Sequence, residues 1–190
     1  MEHLTLNLNF NPFPKLFTNR LELRQFTNND LQDYYLISSD ERVAKALDKK
    51  PKTVEEAKGA FDSIQKNLKE NTAISWVICF KENKKLIGYI GFHRIDITNH
   101  RAEIGYCLFF NYHQKGIMTE AIKPIINYAF NVMNLHSIEA KTNPINSSSH
   151  KLLLNHGFVK EAYFKQDFLF KGKFMDTVVY SLLNENNCST

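Results

Sequence analysis

Apolar and polar residues alternate near the start of the chain. Leu4, Leu6, Leu8 and Phe10 interleave with Thr5, Asn7 and Asn9, the period of a strand with one buried face. Asn11-Pro12-Phe13-Pro14 breaks the pattern, so residues 1–12 read as an extra strand or arm ahead of the main fold. Arg20-Leu21-Glu22-Leu23-Arg24 alternates again and predicts a first core strand. The period then lengthens. Asn28 or Asn29 can cap a helix that carries Leu31, Tyr34 and Tyr35. Beyond the basic loop Lys49-Lys50-Pro51-Lys52, Thr53-Val54-Glu55-Glu56 has the form of a capping box, in which hydroxyl and carboxylate satisfy free N–H groups. Val54, Ala57, Ala60, Phe61, Ile64 and Leu68 continue it as a helical stripe.

From Ile74 the period returns to two. Ile74 to Phe80, Leu86 to Phe92 and Ala102 to Phe109 are separated by polar turns and predict a three-stranded antiparallel meander. Met118, Ile122, Ile125, Ala129 and Met133 then recur at helical spacing. Ser137 to Thr142 predicts a short strand. The intervening helix places it parallel to the strand ending at Phe109. Ser147 to His156 predicts a helix stopped by Gly157, and Tyr163–Phe170 with Phe174–Leu182 predicts a closing hairpin about Lys171-Gly172-Lys173. The order implies an α/β chain with a mixed sheet flanked by helices. Residues 13–183 form one domain in this reading, and 184–190 form a polar tail.

Composition narrows the classes. At 190 residues the chain has room for one well-filled core, which accounts for its 15 Phe and 8 Tyr. A net charge of +4 suits small anions and does not argue for nucleic acid. Cys79, Cys107 and Cys188 are odd in number and widely spaced, which suits a reducing compartment. The His residues lack ligand spacing, so no metal is expected. No long apolar run and no basic leader occurs. The expectation is a cytoplasmic protein without a membrane partner, monomeric or homodimeric.

The candidate chemistry centres on His113-Gln114-Lys115-Gly116-Ile117-Met118-Thr119-Glu120-Ala121. A turn entering a helix can aim several N–H groups at one phosphate. Gly116 allows close approach to the backbone, and Lys115 adds charge. The single glycine equally fits an ordinary turn. Pro124 lies about two turns into the expected helix, where a proline costs about 3 kcal/mol. Either the first turn is irregular or the helix kinks.

Taken in order, Thr18-Asn19-Arg20-Leu21-Glu22-Leu23-Arg24, Ala102-Glu103-Ile104-Gly105-Tyr106, the Gly116 turn, Asn146-Ser147-Ser148-Ser149, Gly157-Phe158 and "GKFMDTVVYS" from Gly172 resemble the Gcn5-related N-acetyltransferase (GNAT) superfamily. The resemblance is closest to its RimJ/RimL-like branch and spans roughly residues 13–183. It implies a GNAT fold, a central mixed sheet of six to seven strands with about four helices, and acetyl-CoA as co-substrate. By the same resemblance, His113, Gln114, Lys115, Gly116, Ile117, Met118 and Thr119 would seat the pyrophosphate. His113 stands where Gln or Arg is usual in the family, and Met118 where Gly or Ala is usual. Backbone groups of Cys107, Leu108 and Phe109, continuing to Phe110, would take the pantetheine like an added strand.

Direct acyl transfer from a thioester to an amine needs a neutral amine, donors for the developing oxyanion and modest stabilisation of the thiolate. By resemblance, Ser149 would face the sulfur and Glu103 would receive the amine proton, directly or through water. Asn146 would hold the cofactor or cap the helix that Ser147, Ser148 and Ser149 open. If the strand is regular, Glu103, Gly105, Cys107 and Phe109 share a face; a bulge would change that. Cys107 reads as packing rather than as a nucleophile. His150 and His156 read as surface or core groups, and Glu161 and Asp176 as structural acids. The acceptor implied is an amine, a protein N-terminus by branch resemblance or a small molecule. The alternative is a non-catalytic module that binds CoA or acetyl-CoA.

Overall fold

Trp76 sits at the centre of the molecule with no exposure, edge-on to Phe13, Phe92 and Tyr128. It belongs to the meander that the period-two runs predict. The computed structural model of the chain describes residues 5–44, 53–170 and 172–185. The basic loop Lys49–Lys52, Lys171 in the closing turn, Cys188 and the tail from 186 lie outside them, as do residues 1–4.

The described elements are β1 (Leu16–Phe17), β2 (Leu21–Arg24), α1 (Leu31–Ser39), α2 (Glu41–Ala44), α3 (Val54–Lys69), β3 (Ile74–Phe80), β4 (Gly88–Asp96), β5 (Arg101–Leu108), α4 (Ile117–Asn131), β6 (Ser137–Thr142), α5 (Ser147–Leu154), β7 (Val159–Phe170) and β8 (Lys173–Leu183). The strands form one eight-stranded sheet in the order β1-β2-β3-β4-β5-β6-β8-β7. Only the β5–β6 pairing is parallel, as expected from the intervening helix.

The sheet has a strand more than the six to seven expected, because the two-residue β1 pairs with β2. A two-residue strand leaves no periodic signal. The Leu4–Phe10 alternation does not produce a sheet strand in residues 5–10. That segment instead crosses the end of α4. Asn7 N–H donates to the Met133 carbonyl (3.0 Å) and Phe10 is buried. Beyond it, Trp76 Nε1 donates to the Pro14 carbonyl (2.6 Å).

Local chemistry explains the helix starts. Thr53 Oγ1 accepts from Glu56 N–H (3.2 Å) and opens α3, as the capping box predicts. Ahead of α1 the chain turns at Thr27 rather than at Asn28 or Asn29. Asp30 accepts the Thr27 N–H (2.7 Å) and both Arg24 Nη atoms (2.7 and 2.8 Å).

Two cores flank the sheet. On one face α4 buries Ile117, Ala121, Ile122, Ile125 and Ala129 with Trp76, Ile90 and Ile104. On the other, α1 and α3 close over a ring cluster of Phe26, Tyr34, Phe61 and Tyr89, with neighbouring centroids 5.6–6.2 Å apart. Centroids at that spacing and tilt favour aromatic pairing.

Candidate active site

The two parallel strands at the middle of the sheet pair only briefly. Arg101, Ala102 and Glu103 register with Ser137, Ile138 and Glu139, and the ladder stops there. β5 continues to Leu108 against β4 alone. Its other edge is therefore open from Ile104 onward. Phe109 N–H donates to the Ile87 carbonyl (2.9 Å). Alternation along an antiparallel ladder then turns the backbone groups of Phe109, Cys107 and Gly105 to β4, and those of Leu108, Tyr106 and Ile104 to the open edge.

This corrects part of the expected set. Cys107 has its backbone turned to β4, and Phe109 has its N–H on Ile87 and its carbonyl on Tyr112 N–H (2.9 Å), so Tyr106 and Leu108 supply the free edge. Tyr106 was not singled out from sequence as a site group. The Leu108 carbonyl accepts a hydrogen bond from His113 Nε2 (2.9 Å), leaving the Leu108 N–H and both Tyr106 groups.

The turn before α4 answers the question of free donors. Gly116 is the helix N-cap residue in the left-handed region (φ 71°), and Gln114 is also left-handed (φ 58°). The first helical bond is Glu120 N–H to the Gly116 carbonyl (3.0 Å). Among the described residues, no backbone or side-chain group accepts from the N–H groups of Gln114, Lys115, Gly116, Ile117, Met118 or Thr119. Alternation of left- and right-handed residues curls such N–H groups toward one point, and the helix dipole adds positive charge there.

Ile117 is fully buried and Met118 packs on the core, so their side chains anchor the turn while their N–H groups have no acceptor among the described residues. His113 braces the turn through Leu108 and lies 5.2 Å from the Phe110 ring. α4 runs continuously from Ile117 to Asn131 with Pro124 inside it.

Sequence reasoning also missed the brace beneath this turn. The Glu120 carboxylate accepts from Thr18 Oγ1 (2.5 Å), Arg20 N–H (2.8 Å) and Arg20 Nε (2.7 Å). Arg20 Nη2 donates in addition to the Lys115 carbonyl (3.2 Å). Arg20 and Glu120 stand in the quoted motifs, but nothing in a linear sequence joins them.

Across the open edge, Tyr106 Oη and Ser149 Oγ are 2.5 Å apart. Ser149 is buried, and its N–H donates to Asn146 Oδ1 (3.1 Å), so Asn146 is the cap of α5. Ser147, Ser148 and Ser149 occupy the first turn of that helix. Burial pushes the Tyr106 phenol up to about 12, against a smaller lowering by the Ser149 hydrogen bond. The phenol therefore keeps its proton at neutral pH. Either hydroxyl can donate in this pair; when Tyr106 donates, the Ser149 hydroxyl hydrogen is available to a third group. His150 Nε2 meets Thr142 Oγ1 (2.8 Å) and its ring lies against Tyr180, while the His156 Nδ1 and Nε2 atoms lie 2.7 and 3.2 Å from the Leu152 and Thr119 carbonyls.

Glu103 lies on the opposite face of β5, where the ladder ends. It is 12% exposed and faces His93 Nε2 (3.2 Å), Arg94 Nη1 (3.1 Å) and Lys141 Nζ (3.4 Å). Burial opposes ionisation, but the His93 hydrogen bond and the charges of His93, Lys141 and Arg94 outweigh it and hold the carboxyl down at about 2. A carboxylate that acidic is a weak proton acceptor near neutrality, which argues against Glu103 as the direct base. β5 is regular from Glu103 to Leu108, so Glu103, Gly105 and Cys107 do share a face; the register shift lies on β4, between His93 and Asp96.

Cys107 packs against Ile37 and Val43, and burial raises its thiol to about 12, which suits packing rather than attack. Glu161 accepts from Ser181 Oγ, and Asp176 binds Tyr163 Oη and Gln166 N–H within the closing hairpin. Both acids serve that hairpin. Among the described residues there is no cluster of His, Cys, Asp and Glu that could hold a metal, and no helix long and apolar enough to cross a membrane.

The chain is similar in sequence and fold to known acetyltransferases. Residues 20–159 match the acetyltransferase (GNAT) domain family. The chain is 38% identical to the uncharacterized N-acetyltransferase p20 of Bacillus licheniformis, over 88% of this chain and 95% of that one. It is 27% identical to the ribosomal-protein-serine acetyltransferase of Escherichia coli, over 85% and 91%. The crystal structure of a ribosomal-protein-S5-alanine acetyltransferase from Vibrio fischeri superposes with a TM-score of 0.80 at 27% identity, covering 91% of this chain and 98% of that one. A sheet that parts beside a donor-rich turn, and a family match running from β2 to the start of β7, lead to one conclusion: the chain belongs to the GNAT acetyltransferase family and is an N-acetyltransferase that uses acetyl-CoA.

Proposed function

We propose that the acceptor is the α-amine of a protein N-terminus and that transfer occurs directly at the parting of β5 and β6. The observation that carries the site assignment is the Tyr106–Ser149 pair on the open edge (2.5 Å). Acetyl-CoA supplies the activated acyl group as a thioester. The N–H groups from Gln114 to Thr119 take its diphosphate, helped by Gly116, which offers no Cβ to obstruct the approach. The free N–H and C=O of Tyr106 and the N–H of Leu108 hold the pantetheine amides as a partial added strand.

Ser149, with its hydroxyl oriented by Tyr106, donates to the departing thiolate. A thiolate of ordinary pKa, about 8.5, needs only such modest help. Asn146 acts through the first turn of α5 by holding Ser149 in place. The acceptor reaches the site from the Glu103 face of the sheet.

The acceptor class rests on the activities that the E. coli and V. fischeri relatives are named for, and on a chemical argument. An α-amine of pKa about 8 is partly neutral at physiological pH, whereas a lysine at about 10.4 is almost wholly charged. Purified enzyme with acetyl-CoA should release CoA in the presence of peptides beginning with Ser, Ala or Met, with mass spectrometry placing the acetyl group on the α-nitrogen. Transfer only to lysine side chains or to a polyamine such as spermidine would refute the acceptor assignment.

A further inference from the structure

The Glu103 face of β5 carries a second functional group. β4 and β5 pair His93 directly opposite Glu103, so both side chains stand on the acceptor side of the sheet. Immediately afterwards the register of β4 shifts, and Arg94 adopts a left-handed backbone (φ 49°). Such bulges re-aim side chains and concentrate near active sites. Here the bulge brings consecutive residues onto one carboxylate. His93 Nε2 meets Glu103 Oε1 (3.2 Å), and Arg94 Nη1 meets Oε2 (3.1 Å).

Glu103 accepts from Nε2–H, and this leaves Nδ1 of a neutral ring as the bare nitrogen. That ring covers Gly105. A methyl group built on Gly105 would come within 2.9 Å of His93 Cε1 and 3.3 Å of Nδ1. Gly105 lies past the last β5–β6 pair and beside Tyr106. Nδ1 thus lies over Gly105, on the strand along which the thioester is expected to lie, and the His93 side chain is 46% exposed.

We propose that His93 accepts the proton of the attacking amine and that Glu103 is its positioning residue. The inference rests on the acetyl-transfer reading of this site, not on the choice of acceptor. As the amine nitrogen bonds to the acyl carbon, the C–S bond breaks and its electron pair leaves with the sulfur. The proton lost by nitrogen goes to His93 Nδ1, and the imidazolium so formed is stabilised by the Glu103 carboxylate. The ring later returns the proton to solvent.

The charged groups around the ring fit this role. On β4 and β6, Arg94 and Lys141 engage Glu103 through Oε2, the oxygen that His93 does not use. Lys141 is shared with Glu139 (3.0 Å), and Glu139 also pairs with Arg101 (3.5 Å). On the helical side of the face, Asp40 pairs with Arg42 (2.6 Å). Glu103 thus stays ionised and orients the imidazole. It is analogous in role, though not in fold, to the carboxylate that fixes a catalytic histidine's tautomer.

The test has two parts. Nitrogen NMR of 15N-histidine-labelled enzyme bound to CoA should show, at pH 8, His93 protonated at Nε2 and bare at Nδ1; the Glu103→Gln variant should lose that preference. A bare Nε2, or a doubly protonated ring at pH 8, overturns the proposal. This readout needs no acceptor, so it stands apart from the peptide panel.

With acetyl-CoA and the best acceptor of that panel, His93→Gln should lower kcat by about 10²-fold or more, the usual worth of a general base. KM for acetyl-CoA should be unchanged, and the acid limb of the kcat/KM profile should disappear. Turnover within twofold of wild type, or a loss that leaves the pH profile intact, contradicts it. Retention of the CoA-induced rise in melting temperature verifies that the variant is folded.

Discussion

Ser149 shows how a residue's packing and its chemistry combine. It is buried, its N–H is held by Asn146, and its hydroxyl meets the Tyr106 phenol, which burial raises to about 12. Ser149→Ala should reduce kcat about tenfold or more while leaving the calorimetric Kd for CoA unchanged; an unaltered kcat would remove Ser149 from the chemistry. The same variant leaves a largely buried phenol without its partner, so urea unfolding should show a loss of about 1–3 kcal/mol. Tyr106→Phe removes the stranded group as well as its contact and should destabilise less. Glu103 makes a separate prediction. Its folded pKa is about 2, below an unfolded value near 4.3. The stability it contributes is therefore fully present above pH ~4.5 and is lost as pH falls toward about 2. The gap in unfolding free energy between wild type and Glu103→Gln should shrink as pH falls below about 4.5. A gap that persists to pH 2 would contradict the ion cluster.

The turn and α4 act as a unit. Gly116 at φ 71° has only Arg20 Nη2 near its hypothetical Cβ, at 3.8 Å. Gly116→Ala thus meets no clash within the protein, but left-handed backbone costs an L-residue about 1–2 kcal/mol. The added methyl also crowds the amides meant for the diphosphate. CoA affinity measured by calorimetry should fall at least tenfold, with stability reduced by that modest amount; unchanged affinity would place the phosphates elsewhere. The helix tolerates Pro124 because Ile117, Ala121, Ile122, Ile125, Tyr128 and Ala129 bury one continuous face around it. That face, the bounds of β6 and the cap at Thr53 were legible in sequence, because each is a local periodicity or a local hydrogen bond. The Arg20–Glu120 brace was not, since its partners are 100 residues apart. Neither was the point at which β5 leaves β6. It depends on how far β6 is drawn into pairing with β8, along its whole length from Ser137 to Thr142. Of the expected edge residues Leu108 does face the opening, whereas Cys107 and Phe109 turn their N–H groups to β4 and Tyr106 was not named.

At the scale of the molecule, the parting of β5 and β6 divides the labour between the two faces of the sheet. The α4–α5 face carries the donor-rich turn and the Tyr106–Ser149 pair. The α1–α2 face carries His93, Glu103 and the buried Cys107. Tyr106, Ser149 and Glu103 stand in quoted motifs and His93 does not, and only the topology separates them by face. A ligand that bridges the parted strands should stabilise the whole sheet. CoA at about a hundred times its Kd should add about 2.7 kcal/mol, a rise in Tm of roughly 5–10 °C for a chain of this size; no shift at millimolar CoA would contradict the site. The most direct measurement is a crystal structure of the protein with CoA. The account predicts diphosphate oxygens within hydrogen-bonding distance of the N–H groups from Gln114 to Thr119, and the sulfur at the parted strands beside Ser149. A CoA molecule seated on any other surface, or lying in the parting with its sulfur away from Ser149, would contradict it.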